Sequence, residues 1–202
     1  MAATAERLIL ASASTARAEL LHAAGVEFTV EPAAIDESGL KSVARRRGDS
    51  AIACASALAA EKACMVSHRH PGALVIGADQ ILAVGEEWFD KPADLVEARA
   101  QLRALRGRIH RLETASIVMR DGVPLWHATS SPEMHVRRFS DAFLDAYVAA
   151  EGERLLGSVG AYRLEGRGVQ LFSRISGDHF AVLGLPLIEL LGFLRERGML
   201  LT

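Results

Sequence analysis

The stretch Ala73-Leu74-Val75-Ile76-Gly77-Ala78-Asp79-Gln80 leads a run of apolar residues to one carboxylate and one amide. The run is short, carries β-branched residues and follows Pro71-Gly72, so it reads as a buried strand and not a helix. A buried strand ending in Asp can hold a catalytic or metal-binding carboxylate. The sheet fixes its position, and the apolar run keeps its base dry. An Asp at that place also serves as a turn former or helix cap, and this stretch alone leaves both readings open.

Other residues with chemistry are scattered along the chain. Arg7 to Ala11 reads as a strand, running through Ser12-Ala13-Ser14 into a helix from Thr15 to Ala24 that stops at Gly25. Free N–H groups at the helix start, the hydroxyls of Ser12 and Ser14 and the guanidinium of Arg17 suit a phosphate; an ordinary N-cap at Ser14 fits the same residues. Ile35-Asp36-Glu37 puts adjacent acids in an expected loop, where a metal role needs a partner from elsewhere. Lys62 falls in an Ala-rich helix expected over Asp49 to Val66, and Lys91 is held extended by Pro92. Taken singly, each lysine reads as a solvated surface charge. His68 and His70 read as helix-end or surface histidines. The glycine-rich loop from Gly157 to Gly168 carries Tyr162 and Glu165; its glycines permit close approach to a ligand or simply make turns.

The remaining elements are legible in outline. Val26 to Val30 alternates as a strand, and residues 38 to 48, with Arg45-Arg46-Arg47, read as a solvated helix face. Asp94 with Glu97 resembles a capping box opening a helix to Arg106. His110 to Met119 and the extended stretch beyond Asp121-Gly122 read as a long hairpin. Ser140 caps a short helix. Val169 to Ile175 and His179 to Leu183 read as a hairpin about Ser176-Gly177-Asp178, and the last helix carries the stripe Leu187, Leu190, Leu191, Leu194.

Composition narrows the class. The chain has 202 residues, half of them hydrophobic, which is enough for a full core without disulfide staples. A net charge of −2 lacks the basic footprint of a nucleic-acid binder. Cys54 and Cys64 have no metal spacing and read as reduced thiols. Met1 to Arg7 shows no basic-then-apolar leader pattern, and no apolar run reaches membrane-spanning length, so the expected compartment is the cytoplasm with no membrane partner. No P-loop, zinc spacing or nucleophile elbow is present.

Several segments in order carry a resemblance. Leu8-Ile9-Leu10-Ala11-Ser12-Ala13-Ser14 with Arg17-Ala18-Glu19-Leu20-Leu21 resembles the opening motif of the Maf family of nucleotide pyrophosphatases. Ile76-Gly77-Ala78-Asp79 resembles its central motif, and Lys91-Pro92 with Leu102 to His110 its next. Val159-Gly160-Ala161-Tyr162, Glu165-Gly166 and Val182-Leu183-Gly184-Leu185-Pro186 resemble its carboxy-terminal blocks. The resemblance implies one domain over residues 1–202. Its α/β fold would be a mixed twisted sheet with flanking helices, in two lobes around a central cleft, similar to inosine triphosphatases. It implies hydrolysis of a nucleoside triphosphate to monophosphate and pyrophosphate with a divalent cation, Mg²⁺ or Mn²⁺. The family is often dimeric, so a homodimer is open. Carried onto this sequence, the catalytic residues are Asp79, Lys62 and Lys91, with Glu37 and Asp79 holding the metal. Ser12, Ala16, Arg17, Gln80 and Glu165 face the substrate. The chemistry agrees, because a triphosphate brings about four negative charges that cations and N–H donors must neutralise.

The family divides by residues near the base. This chain has Thr15-Ala16-Arg17, Gln80 after Asp79, and Glu165 in the tyrosine block. Gln80 and Glu165 resemble the branch acting on 7-methyl-GTP. A carboxylate at 165 can accept from guanine N–H groups and complement the cationic base. Ala16 departs from that branch, which commonly has a stacking Trp there; Trp88 is a candidate substitute or a packing residue. The alternatives are a dTTP or UTP pyrophosphatase, and a nucleotide-binding regulator of cell division without relevant turnover.

Overall fold

The computed structural model describes residues 6–201. Most of the amino-terminal stretch searched for a leader pattern, residues 1–5, therefore lies outside the described residues. The chain runs β1 (Leu8–Leu10), α1 (Thr15–Ala23), β2 (Thr29–Val30), α2 (Glu37–Arg47), α3 (Ala51–Arg69), β3 (Leu74–Val84), β4 (Glu87–Phe89), α4 (Leu95–Leu105) and β5 (Ile109–Arg120). It continues through β6 (Val123–Ser130), β7 (Glu133–Val136), α5 (Asp141–Glu151), three short 3₁₀ segments, β8 (Phe172–Ser176), α6 (His179–Val182) and α7 (Leu187–Glu196). The strands pair both parallel and antiparallel, so the sheet is mixed and flanked by helices, as the α/β expectation requires. Two compact units emerge, and β3 and β5 each contribute residues to both.

The first unit holds the chain up to Gln80, Thr114–Ser130 and the part from Asp178 on. Here β1 pairs in parallel with β2 and β3, Ile9 lying opposite Thr29 on one side and Val75 on the other. Parallel strands are covered on both faces, which is why β3 reads as a continuous apolar run. Its alternation still separates two cores. Leu74, Ile76 and Ala78 pack with Leu21 of α1 and Leu187, Leu190, Phe193 and Leu194 of α7. Val75 packs against Ala63 and Val66 of α3. The later part of β5 and β6 form the expected hairpin about Asp121-Gly122, where Asp121 adopts a φ of 51° and Gly122 one of 77°.

The second unit comprises Ile81–Glu113 and Ser131–Gly177. The outer part of β3 pairs antiparallel with β4, Leu82 opposite Phe89. The first part of β5 pairs with β7, and β7 with β8. Asp94 caps α4 by accepting from the Glu97 N–H, while Glu97 accepts from the Ala93 N–H, one residue earlier than a capping box would place it. Buried His110 of β5 shares a hydrogen bond through Nε2 with the Tyr162 hydroxyl at 2.7 Å. That bond ties the glycine-rich loop to the sheet just beyond Ala161, whose φ of 57° is unusual for a residue with a side chain.

Several boundaries differ from the sequence expectation, each for a physical reason. Asp79 does not end its strand. A second apolar run, Ile81 to Val84, carries β3 onward, and Asp79 sits within it. The strand expected from Val26 shrinks to Thr29–Val30, because the Val26 N–H bonds to the Leu21 carbonyl and closes the end of α1. Glu37 is the first residue of α2 and not a loop residue, since Asp36 caps that helix by accepting from the Gly39 N–H. The hairpin expected about Ser176-Gly177-Asp178 is a strand followed by α6, because the Asp178 carboxylate accepts from the N–H groups of Phe180 and Ala181 and starts a helix. In α7 the buried stripe is Leu187, Leu190, Phe193 and Leu194; Leu191 is half-buried.

Candidate active site

Helix α3 lies against β3 at a distance only glycine allows. A Cβ on Gly77 would sit 2.1 Å from the Ala59 carbonyl oxygen and 2.8 Å from the Ala63 Cβ. Ala59 and Ala63 supply the small helix face, and Lys62 follows the same face toward β3. Asp79 is two residues beyond Gly77 and so emerges on the same side of the strand. The result is a buried pair, with Lys62 Nζ donating to Asp79 Oδ1 at 2.5 Å. Glu37, at the start of α2, brings Oε1 to 2.7 Å from the same ammonium. Two sequence-expected carboxylates, from α2 and β3, thus converge on the one cation that α3 supplies.

Asp79 is only half satisfied by this pairing. Its Oδ2 is buried and has no hydrogen-bond partner among the described residues. An orphan carboxylate oxygen is costly to bury, by about 1–3 kcal/mol or more for a charged group. It is therefore a position shaped for something the protein itself does not supply, a water or a cation. The donor set fits a hard divalent ion, since Mg²⁺ takes oxygen ligands, often one or two carboxylates with the rest from water and phosphate. Glu37 and Asp79 are the two carboxylates that would hold such an ion. No group of three or more His, Cys, Asp or Glu side chains able to hold a metal occurs among the described residues.

The residues expected to meet a phosphate are also brought together. Ser14 is the N-cap of α1, accepting from the Arg17 N–H at 3.4 Å, so the cap reading holds for this serine. Ser12 does different work. Its Oγ accepts from the Ser14 N–H at 3.3 Å and from Arg17 Nη1 at 2.9 Å. Arg17 Nε donates to the Gly184 carbonyl at 2.9 Å. Burial lowers the Arg17 pKa, while Asp79 and then Glu37 push it back up. A guanidinium has five N–H donors and stays charged in proteins, so donors remain for an anion.

Gln80 faces the opposite side of β3 from Asp79. Its Nε2 donates to Thr114 Oγ1 and the Ala181 carbonyl, each at 2.8 Å, and approaches the Val182 carbonyl at 3.3 Å. The amide nitrogen is committed, and the carbonyl oxygen Oε1 is the end left to meet a ligand. Ala16 is half-buried in the first turn of α1.

Lys91, Trp88 and Glu165 belong to the second unit. Lys91 is exposed just after β4, and Trp88 is half-buried on β4 opposite Ala83. Glu165 is exposed and its Oε1 accepts from Arg163 Nε at 3.0 Å. The residues that the sequence reading passed over are Thr114 and the carbonyls of Ala181 and Gly184. Thr114 shares its strand with a second buried hydroxyl, Ser116, so residue type does not single it out, and backbone carbonyls leave no signature in residue type.

Comparison with known proteins extends these observations. Residues 7–197 match the family described as Maf-like protein. A nucleoside triphosphate pyrophosphatase of Granulibacter bethesdensis is 52% identical over 96% of this chain and 98% of its own. One of Rhodospirillum rubrum is 48% identical over the full length of both. A 7-methyl-GTP pyrophosphatase of Rhizobium etli is 45% identical over 95% of this chain and 96% of its own. With the opening serine loop, the glycine-spaced Asp79 and the Lys62 pair all in place, the chain belongs to the Maf family.

Proposed function

We propose that this protein hydrolyses the link between the α and β phosphates of 7-methyl-GTP, releasing the nucleoside monophosphate and pyrophosphate. At the coarser level it is a nucleoside triphosphate pyrophosphatase, a hydrolase of acid anhydrides, in keeping with the names its relatives carry. The observation that carries the reaction is the half-satisfied Asp79. Lys62 holds Oδ1, and the unpartnered Oδ2 is buried beside it. Asp79 accepts the proton of the attacking water at Oδ2 while Lys62 holds Oδ1 and orients the carboxylate. Arg17, Ser12 and the start of α1 neutralise the phosphates, with Lys91 as a further cation. A divalent cation held by Glu37 and Asp79 would supply charge neutralisation on the phosphate oxygens.

The 7-methylguanine preference rests on Gln80 and Glu165, and the Rhizobium etli relative favours it. Gln80 offers an acceptor oxygen. Glu165 offers Oε2 and a negative charge that complements the methylated base. Pyrophosphate release with Mg²⁺ across 7-methyl-GTP, GTP, dTTP, UTP, CTP and ITP tests the reading. Turnover is expected to be fastest for 7-methyl-GTP, and Glu165→Gln is expected to narrow its lead. Fastest turnover of dTTP or UTP would keep the hydrolase and overturn the base preference.

A further inference from the structure

The motif from Asp178 to Pro186 supplies no side chain to the reaction described above, yet its backbone touches two residues of that site. We propose that the segment Asp178–Gly184 is a backbone clasp. It sets the positions of Arg17 and Gln80 together, with Asp178, Gly184 and Thr114 as its positioning residues. The proposal rests on the proposed function for the ligand roles of Arg17 and Gln80.

The clasp begins with Asp178. Its two carboxylate oxygens accept from the Phe180 and Ala181 N–H groups at 2.9 and 3.2 Å and fix the four residues of α6. So short a helix leaves its last carbonyls without helical partners. Here those carbonyls have other uses. The Ala181 oxygen accepts from the Gly184 N–H at 3.0 Å, from Thr114 Oγ1 at 3.0 Å and from Gln80 Nε2 at 2.8 Å. The chain then turns at Gly184, whose φ is +106°, and its carbonyl takes Arg17 Nε. A Cβ at Gly184 would lie 3.1 Å from that same nitrogen, so glycine is needed twice over, for its backbone angle and for the room it leaves the guanidinium.

Thr114 completes the arrangement. It is fully buried, and its hydroxyl gives its hydrogen to Ala181 and its lone pair to Gln80. This decides which way the Gln80 amide points. A flipped amide would set Oε1 against two carbonyl oxygens, so the ligand-facing end is locked as an acceptor. Such an end favours a base edge that offers N–H donors. Because Ala181 and Gly184 are three residues apart on one turn, a displacement of that turn moves the anchor of the phosphate-side Arg17 and the anchor of the base-side Gln80 together.

The test uses the full-length protein and two separable readouts. Affinity for inorganic tripolyphosphate reports Arg17 without any base. The ratio of kcat/KM for 7-methyl-GTP to that for UTP reports Gln80. Thr114→Val is expected to shift the ratio about tenfold toward unity with tripolyphosphate affinity unchanged, and Thr114→Ser is expected to restore it. Gly184→Ala is expected to weaken tripolyphosphate binding about tenfold and to shift the ratio as well. A Thr114→Val variant with the wild-type ratio overturns the Gln80 arm. A folded Gly184→Ala variant that changes one readout and not the other overturns the coupling. A third measurement needs neither folding of a variant nor turnover. In the wild-type protein the Arg17 Nε–H resonance is expected to exchange slowly with solvent, and fast exchange would overturn the Arg17 arm. If the wild type releases pyrophosphate from no nucleotide, the functional reading fails by itself, and this resonance still decides the Arg17 arm of the clasp.

Discussion

Lys62 is the residue on which the charge balance of the site turns. It is buried between Asp79 and the half-exposed Glu37, so removing its ammonium leaves two carboxylates facing each other, with buried Arg17 as a cation that also interacts with both. Breaking a buried pair from one side is far more damaging than its net worth, because an uncompensated charge remains. Lys62→Met is therefore expected to destabilise the fold by about 3 kcal/mol and to lower kcat by about a hundredfold or more. Urea unfolding and steady-state kinetics on the same preparation would check both. Asp79→Asn separates the roles differently. The amide keeps the volume but cannot take up a proton, so turnover is expected to fall by about 10²–10⁴ while nucleotide binding persists. Binding measured by calorimetry and turnover equal to wild type would show that the base lies elsewhere.

At the scale of elements, the contact of α3 with β3 decides whether the buried Lys62–Asp79 pair can exist. The approach depends on Gly77, because an added methyl would meet the Ala59 carbonyl oxygen at 2.1 Å, and a helix backbone cannot step aside as a flexible side chain can. Gly77→Ala is expected to push α3 off the strand, cost about 1–3 kcal/mol of stability and lengthen the reach from Lys62 to Asp79. The expected signature is a lower melting temperature with a fall in kcat larger than the fall in stability explains. Melting and kcat both at wild-type values would mean that the helix accommodates the methyl. Helix caps are a lesser matter at this scale. Ser14, Asp36, Ser50, Asp94 and Ser140 each accept from an N–H three residues on, and each contributes about 1 kcal/mol.

At the scale of the whole molecule, acid stability is expected to follow His110. Burial lowers its pKa to about 3, from an ordinary 6.5. The unfolded chain therefore binds a proton in the window where the folded chain does not. The sign follows directly: this stability is fully present above pH of about 6.5 and is lost as the pH falls toward about 3. The slope can reach about 1.4 kcal/mol per pH unit. His110→Phe is expected to flatten the pH dependence of urea unfolding between neutral and acid conditions. An unchanged slope in that variant would assign the acid lability to other groups. The Tyr162 hydroxyl loses its partner in the same variant, so the slope and not the absolute stability is the quantity to compare.

The candidate site residues were legible in the order of residues, as candidates. The apolar run singled out Asp79 and the strand-to-helix turn singled out Arg17 and Ser12, each with a plain structural reading beside the chemical one, and capping serines and aspartates marked the helix starts. These are local properties, set by side-chain type and by periods of two or 3.6 residues. The family resemblance of scattered motifs added the lysines and Glu37, which by themselves looked like surface charges. Tertiary structure alone decided the rest. It carried β3 past Asp79, turned the expected hairpin at Asp178 into a helix start, and left one oxygen of Asp79 without a partner. It also spent the amide of Gln80 on Thr114 and the backbone of α6. The physical reason is that a carbonyl's availability, a helix's distance and a buried atom's missing partner are sums over residues far apart in the chain. No window of neighbouring letters contains them.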